Sequence, residues 1–409
     1  MNFIKNNKNY NPLIDTVFSV ATLAKKAKEM YGNENVVDAT IGSLCDEEGN
    51  LVAFDSVFSS FTTLPSRSHA RYASYFSGNT SFKVSLAHYL FDDIDFKLEY
   101  KVFATPGGTG ALSNTISNLV NENDYILIPE IGWGSYRLMA EEFKAKVATY
   151  PLFENEHFAL NDFKNIVSEI LSKQDQLIII LNFPCHNPTG YSLTHDEWKS
   201  IIDFCNSFSS DKRIVLINDV AYMDYSYDQK NYKKYLSLFN DINENVCLII
   251  AYSCSKTFTS YGLRLGAAIL CHKQEAIIDN IHDAFDRTAR AVYSNINNGA
   301  MENVSNVLTV YKEEFLSEKE RYVTLLKARS EILLKEASSE GLTIYPYKEG
   351  FFITIKVDDD KIDNYHQALM DNNIFTVKTN HGIRVAICSL PVNKCYGLAK
   401  RMKDILDNI

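Results

Sequence analysis

No two of the eight cysteines form a CxxC pair, and no Cys/His group has zinc spacing. That argues against a structural metal and against a disulfide-stapled secreted fold. Reduced, buried thiols in a cytoplasmic protein are the expectation, with Cys247, Cys271 and Cys388 inside apolar strands. No run of about 18 apolar residues occurs, so no membrane span is expected. The first residues are rich in Asn and Lys and lack the apolar stretch of a signal peptide. Basic residues are in deficit, 41 against 51 acidic, for a net charge of −10. That argues against nucleic acid and anionic membrane as partners, though not against a small anionic substrate in a local positive pocket. Internal repeats and low-complexity linkers are also missing.

What is present suits a large core. Hydrophobic residues make up 46% of the chain, with 24 Tyr and 24 Phe. At about 150 residues per domain, the 409 residues suggest two or three domains, or one large domain with a satellite. Helical patterns fall at 15–30, 80–91, 161–173 and 194–208. Short strands fall at 36–41, 125–129, 146–152, 176–183, 213–217, 246–252 and 266–271. This β–α alternation, with buried strands among them, argues an α/β fold around a mostly parallel, doubly wound sheet. From 301 to 334 the pattern is one long helix. The tail, 342–409, alternates short strands at 343–345, 351–356 and 382–387 with two helices, a small α+β unit.

Four stretches carry chemistry. Lys256 stands just past an apolar strand, among small hydroxyl residues, with Arg264 eight positions on. A neutral lysine amine can attack a carbonyl to form a Schiff base; a lysine at a strand exit can equally reach solvent. Asp219 closes the preceding strand. Asn187, in Asn187-Pro188-Thr189-Gly190, follows the strand before that. Ligands of doubly wound sheets bind at the carboxyl ends of strands, so these three should converge. The fourth stretch, Gly107-Gly108-Thr109-Gly110, opens a helix. Its backbone N–H groups and the helix dipole suit an anion. It lacks the P-loop order and the dinucleotide spacing; a phosphate cradle and a plain glycine turn both stay open here. A Schiff-base lysine, a buried carboxylate for a pyridine nitrogen, neutral donors for a phenolate oxygen and a phosphate cradle are together what pyridoxal phosphate needs.

These segments resemble the fold-type I pyridoxal-phosphate aminotransferases of class I, the aspartate/aromatic group. The resemblance spans nearly the whole chain. It rests on Asn187-Pro188-Thr189-Gly190, Asp219-Val220-Ala221-Tyr222, Ser253-Cys254-Ser255-Lys256 with Arg264, the glycine turn, and Arg384 in Gly382-Ile383-Arg384-Val385. It implies a large cofactor-binding domain over 46–309. A small domain would be built from 13–45 and 310–409, with an N-terminal arm over 1–12. It implies that Lys256 forms the cofactor imine and shuttles the proton, that Asp219 pairs with the pyridine nitrogen, and that Asn187 and Tyr222 face the phenolate oxygen. Trp133 would stack on the ring. Gly108, Thr109, Ser253 and Arg264 would hold the phosphate, joined by Tyr72 (or Tyr75) of a neighbouring subunit. Gly42 and Arg384 would sit at the substrate α-carboxylate, and Arg290 of the neighbour at a distal carboxylate. Where some relatives have a histidine, this chain has Ser135 or Tyr136. His186 and His195 read as ordinary turn and helix residues.

The implied activity is ping-pong transfer of an amino group between an L-amino acid, aspartate or aromatic, and a 2-oxo acid by a cytoplasmic homodimer with shared sites and no metal. A C–S lyase or decarboxylase would use the same cofactor set. A non-enzymatic cofactor-binding regulator is the alternative of another class.

Overall fold

The structure, a computed structural model, describes residues 3–4, 11–13 and 16–409. Most of the arm expected over 1–12, and the expected helix start at Asp15, lie outside the described residues.

The central sheet has seven strands: β1 (Glu99–Thr105), β2 (Tyr125–Pro129), β3 (Lys146–Tyr150), β4 (Gln176–Leu181), β5 (Arg213–Asp219), β6 (Val246–Ser253) and β7 (Gly266–His272). Their spatial order is β1-β7-β6-β5-β4-β2-β3. Neighbours pair in parallel, except that β7 runs against both β1 and β6. The reason is local: residues 254–265 hold only short turns between β6 and β7. A parallel return needs a full crossover, usually a helix. The sheet is therefore mixed and mostly parallel.

Strand β6 is buried along its whole length, and its two faces serve two cores. Val246, Leu248, Ile250 and Tyr252 pack into one cluster; Cys247, Ile249 and Ala251 pack into the other. Alternation along a strand, with helices on both faces, explains why it reads as an unbroken apolar run. Helix Thr80–Phe91 buries Phe82, Leu86 and Leu90 completely. Helix His195–Asn206 starts in a capping box in which the Thr194 hydroxyl accepts from Glu197 N and Glu197 accepts from Thr194 N.

The C-terminal unit holds β8 (Phe352–Lys356), β9 (Val377–Thr379) and β10 (Gly382–Ala386) in the order β8-β10-β9, with helices Ile362–Asp371 and Leu398–Asp407. Several expectations are corrected. The long helix over 301–334 is two helices, Asn298–Thr309 and Lys312–Glu340. The turn at Val310-Tyr311 lets the first pack on Thr80–Phe91 and the second on Leu398–Asp407. The strand over 36–41 shortens to Val37–Asp38, paired with Ile374–Phe375; just past it the carbonyls of Thr40 and Gly42 accept from Arg384 and Lys256. The strand over 343–345 is a single bridge, Ile344 to Ile355. Cys388 lies in the turn Ile387–Ser389, past the end of its strand, where its carbonyl accepts from the buried Arg329.

Candidate active site

Asn187, Asp219 and Lys256 leave the carboxyl ends of β4, β5 and β6 and line one cavity of about 480 Å³. Gly108 and Thr109 enter it from the glycine turn, Trp133 from the loop after β2, and Arg384 from β10. Gly42, Tyr222, Ser253 and Arg264 complete the lining named from the sequence.

Lys256 sits in the short turn Cys254–Thr257. Its Nζ donates to the Gly42 carbonyl at 2.6 Å and lies 4.7 Å from the Tyr261 ring centre. Burial lowers the ammonium to about 8, and the cations Arg384 and Arg264 push the same way. The neutral amine that a carbonyl nucleophile requires is therefore far more accessible near neutrality than for an ordinary lysine.

Asp219 is buried, and burial raises its carboxyl to about 6 against two hydrogen bonds that lower it. Oδ2 accepts from Tyr136 Oη at 2.6 Å and Oδ1 from Ala221 N at 3.1 Å. Of the two residues in the variable position, Ser135 and Tyr136 both line the cavity, but the reach to Asp219 belongs to Tyr136. The Tyr136 ring meets Trp133 edge-on at 5.5 Å. A carboxylate this deep suits a cationic ring nitrogen as its partner.

Asn182 was not read from the sequence. Its Oδ1 accepts from Asn187 N and its Nδ2 donates to the Asp219 carbonyl, both at 2.9 Å, so it ties two site segments together. Tyr261, also unforeseen, accepts from Leu44 N at 2.9 Å. Phe352 lies 4.5 Å from the Arg384 guanidinium, whose Nη2 donates to Thr40 O at 2.7 Å and whose Nη1 reaches Asn187 Oδ1 at 3.4 Å. No local periodicity marks these residues.

Gly107 has φ of +74°, and a Cβ there would come within 2.8 Å of Arg264 Nη2. Arg264, itself left-handed at φ 54°, donates to Ser255 Oγ and the Tyr261 carbonyl. The glycine turn, Ser253 and the guanidinium thus converge without side-chain bulk between them, an anion cradle at the N-terminus of helix Gly107–Leu119. Lysine, carboxylate and cradle face one cavity, so the donor set fits pyridoxal phosphate. Among the described residues, no group of three or more His, Cys, Asp or Glu is placed to hold a metal. His186 is buried, bonds Thr189 and stays outside the lining; His195 begins its helix.

Tyr72 and Arg290 do not line this chain's cavity. Tyr72 is 85% exposed. Arg290 is exposed, donates to Ser294 Oγ at 2.6 Å and lies 5.4 Å from the Phe76 ring centre. Among the described residues, no helix is long and apolar enough to cross a membrane.

A solved aminotransferase from Anaerococcus prevotii DSM 20548 is 30% identical and superposes with a TM-score of 0.96 over 99% of both chains. The aspartate aminotransferase of Escherichia coli (strain K12) is 25% identical over 214 residues, 52% of this chain and 52% of that protein. The chain therefore spans about half the length of that curated relative. The aromatic-amino-acid aminotransferase of the same organism is 23% identical over 333 residues, 78% of this chain and 81% of that one. The family pattern of aminotransferase class I and II matches residues 34–402. With the fold, the cavity and this match in agreement, the chain belongs to the aminotransferase class I and II family.

Proposed function

We propose that the chain is a pyridoxal-phosphate-dependent transaminase that moves an amino group between an L-amino acid, aspartate or aromatic, and a 2-oxo acid. The observation that carries this is the meeting of Lys256, Asp219 and Arg384 in one cavity. Pyridoxal phosphate supplies an aldehyde and an electron-withdrawing ring when bound. Lys256 provides the amine and, once released, carries the proton at its Nζ. Asp219 stays ionised toward a ring nitrogen, with Tyr136 orienting it. Asn187 and Tyr222 offer neutral polar groups; Gly108, Thr109, Ser253 and Arg264 hold the phosphate; Trp133 covers the ring. Arg384 and Gly42 receive the substrate α-carboxylate, the guanidinium through paired hydrogen bonds.

The seven-stranded sheet belongs to a cofactor-binding domain over 46–309, and 13–45 with 310–409 form a smaller domain. The working form is a C2 homodimer. Exposed Tyr72, Tyr75 and Val292, at 85%, 59% and 74%, supply apolar surface that a second copy would cover. That copy would bring Tyr72 to the phosphate and Arg290 to the distal end of the substrate. All eight cysteines are free thiols, which supports residence in a reducing cytoplasm.

The test is absorbance of the cofactor-loaded protein with a panel of L-amino acids, then with 2-oxoglutarate. Loss and recovery of the visible band, with amino transfer, is expected for aspartate or an aromatic amino acid and should vanish in Lys256→Ala. Pyruvate and ammonia from cystathionine, with no transfer, would instead mark a C–S lyase. Sedimentation at nanomolar concentration should show a dimer; a fully active monomer rules the shared site out.

A further inference from the structure

Behind the cavity lies a second buried polar cluster, centred on Asp224. Asp224 is 1% exposed; Tyr89, Tyr252, Thr257 and Lys319 around it are buried as well, and Tyr232 is partly buried. Its Oδ2 accepts from Thr257 Oγ1 at 2.6 Å and from Tyr252 Oη at 3.1 Å. Its Oδ1 accepts from Tyr232 Oη at 2.8 Å, from Tyr89 Oη, and from Lys319 Nζ at 3.4 Å. Five donors converge on one carboxylate, which is acceptor-only when ionised. Lys233 adds a second cation near Tyr89. Burial alone would raise this carboxyl, but Lys319, Lys233 and the hydroxyls outweigh it and hold it at about 2. Asp224 is thus a fixed anion across the working pH range.

Thr257 directly follows Lys256. The turn Cys254–Thr257 is one turn long, too short to hold its shape through its own hydrogen bonds. It is tied from beneath three times. Thr257 bonds Asp224. Tyr225 Oη donates to the Lys256 carbonyl at 2.9 Å. Phe258 stacks on Phe315 of helix Lys312–Glu340, with ring centres 4.8 Å apart. Asp224 and Tyr225 share the turn Met223–Tyr225, just after Tyr222 and Asp219. One segment therefore presents Asp219 and Tyr222 to the cavity and Asp224 and Tyr225 to the underside of the lysine turn. Neither Asp224 nor Thr257 lines the cavity.

We infer that Asp224 is a positioning residue: through Thr257 it fixes the backbone that carries Lys256, and through Lys319 it locks that backbone to the helix Lys312–Glu340. This rests on the reading of Lys256 as the cofactor-binding lysine. Asparagine cannot replace Asp224 quietly, because its amide nitrogen would turn a donor toward hydroxyl donors.

Thr257→Val isolates the tie. It keeps the shape and leaves Asp224 its other donors. In the cofactor-loaded protein it should shift the pH midpoint of the cofactor absorbance change by at least about half a unit. It should lower kcat about 10-fold while KM stays within about 2-fold, since sub-ångström misplacement of a reacting group is costly. Thr257→Ser should restore both. Tyr225→Phe, which cuts the second tie without touching the buried charges, should move both readouts the same way by less. Borohydride reduction and peptide mapping run alongside. A wild-type protein labelled at Lys256, with Thr257→Val and Tyr225→Phe unchanged in midpoint and kcat, overturns the positioning role alone. A wild-type protein not labelled at Lys256 overturns the function reading and this one with it.

Discussion

Tyr136 donates its hydroxyl proton to Asp219 Oδ2 at 2.6 Å across 83 residues of sequence. The bond is one of two that oppose the burial raising this carboxyl to about 6. Without it, the carboxylate would depend on Ala221 N alone until a cation arrived.

Removing either partner should therefore grade the effect. Tyr136→Phe removes a bond that lowers the Asp219 carboxyl, so Asp219 should stay protonated to higher pH and cofactor binding near pH 6 should weaken, read by fluorescence titration. Asp219→Asn should cost several orders of magnitude in transamination rate while circular dichroism stays native. A rate loss under about tenfold for Asp219→Asn would sink its role.

Cofactor capture by the cofactor-free protein should rise with pH in two steps. Asp219 gains its charge as pH rises through about 6. Lys256 gains its neutral form as pH rises through about 8. Both changes favour capture, so the rate should climb from pH 5 and level off above about 9. An ordinary lysine would keep climbing past 10. Stopped-flow absorbance across that range decides between the two.

Gly107→Ala should loosen the phosphate cradle. At φ of +74° an alanine is strained by about 1 kcal/mol, and its Cβ would stand 2.8 Å from Arg264 Nη2. Melting temperature should fall by a few degrees at most, while inorganic phosphate binding, read by calorimetry on the cofactor-free protein, should drop clearly. Unchanged phosphate affinity would remove Arg264 from the cradle.

Arg290→Ala tests the distal carboxylate. Losing a buried charge pair costs roughly 2–5 kcal/mol, so kcat/KM should fall far more for aspartate than for phenylalanine. Equal losses would mean that Arg290 does not read the substrate side chain.

Which segments enter the sheet was legible in the sequence, with their ends only to within about two residues: the strand expected over 176–183 closes at Leu181 and that over 146–152 at Tyr150. Short unbroken apolar runs such as 246–252 suit strands covered on both faces, and β6 is buried throughout with alternate residues in two cores. Lys256, Asp219 and Asn187 were legible because each stands in a short motif at a strand exit, where this topology gathers ligands. Only the tertiary structure decided what those residues lean on. Lys256 finds the Gly42 carbonyl 214 residues away, and Arg384 finds Thr40 344 residues away. Tyr136, Asn182 and Asp224 left no periodic trace, because a buried polar group is specified by partners brought together by folding and not by its neighbours in the chain.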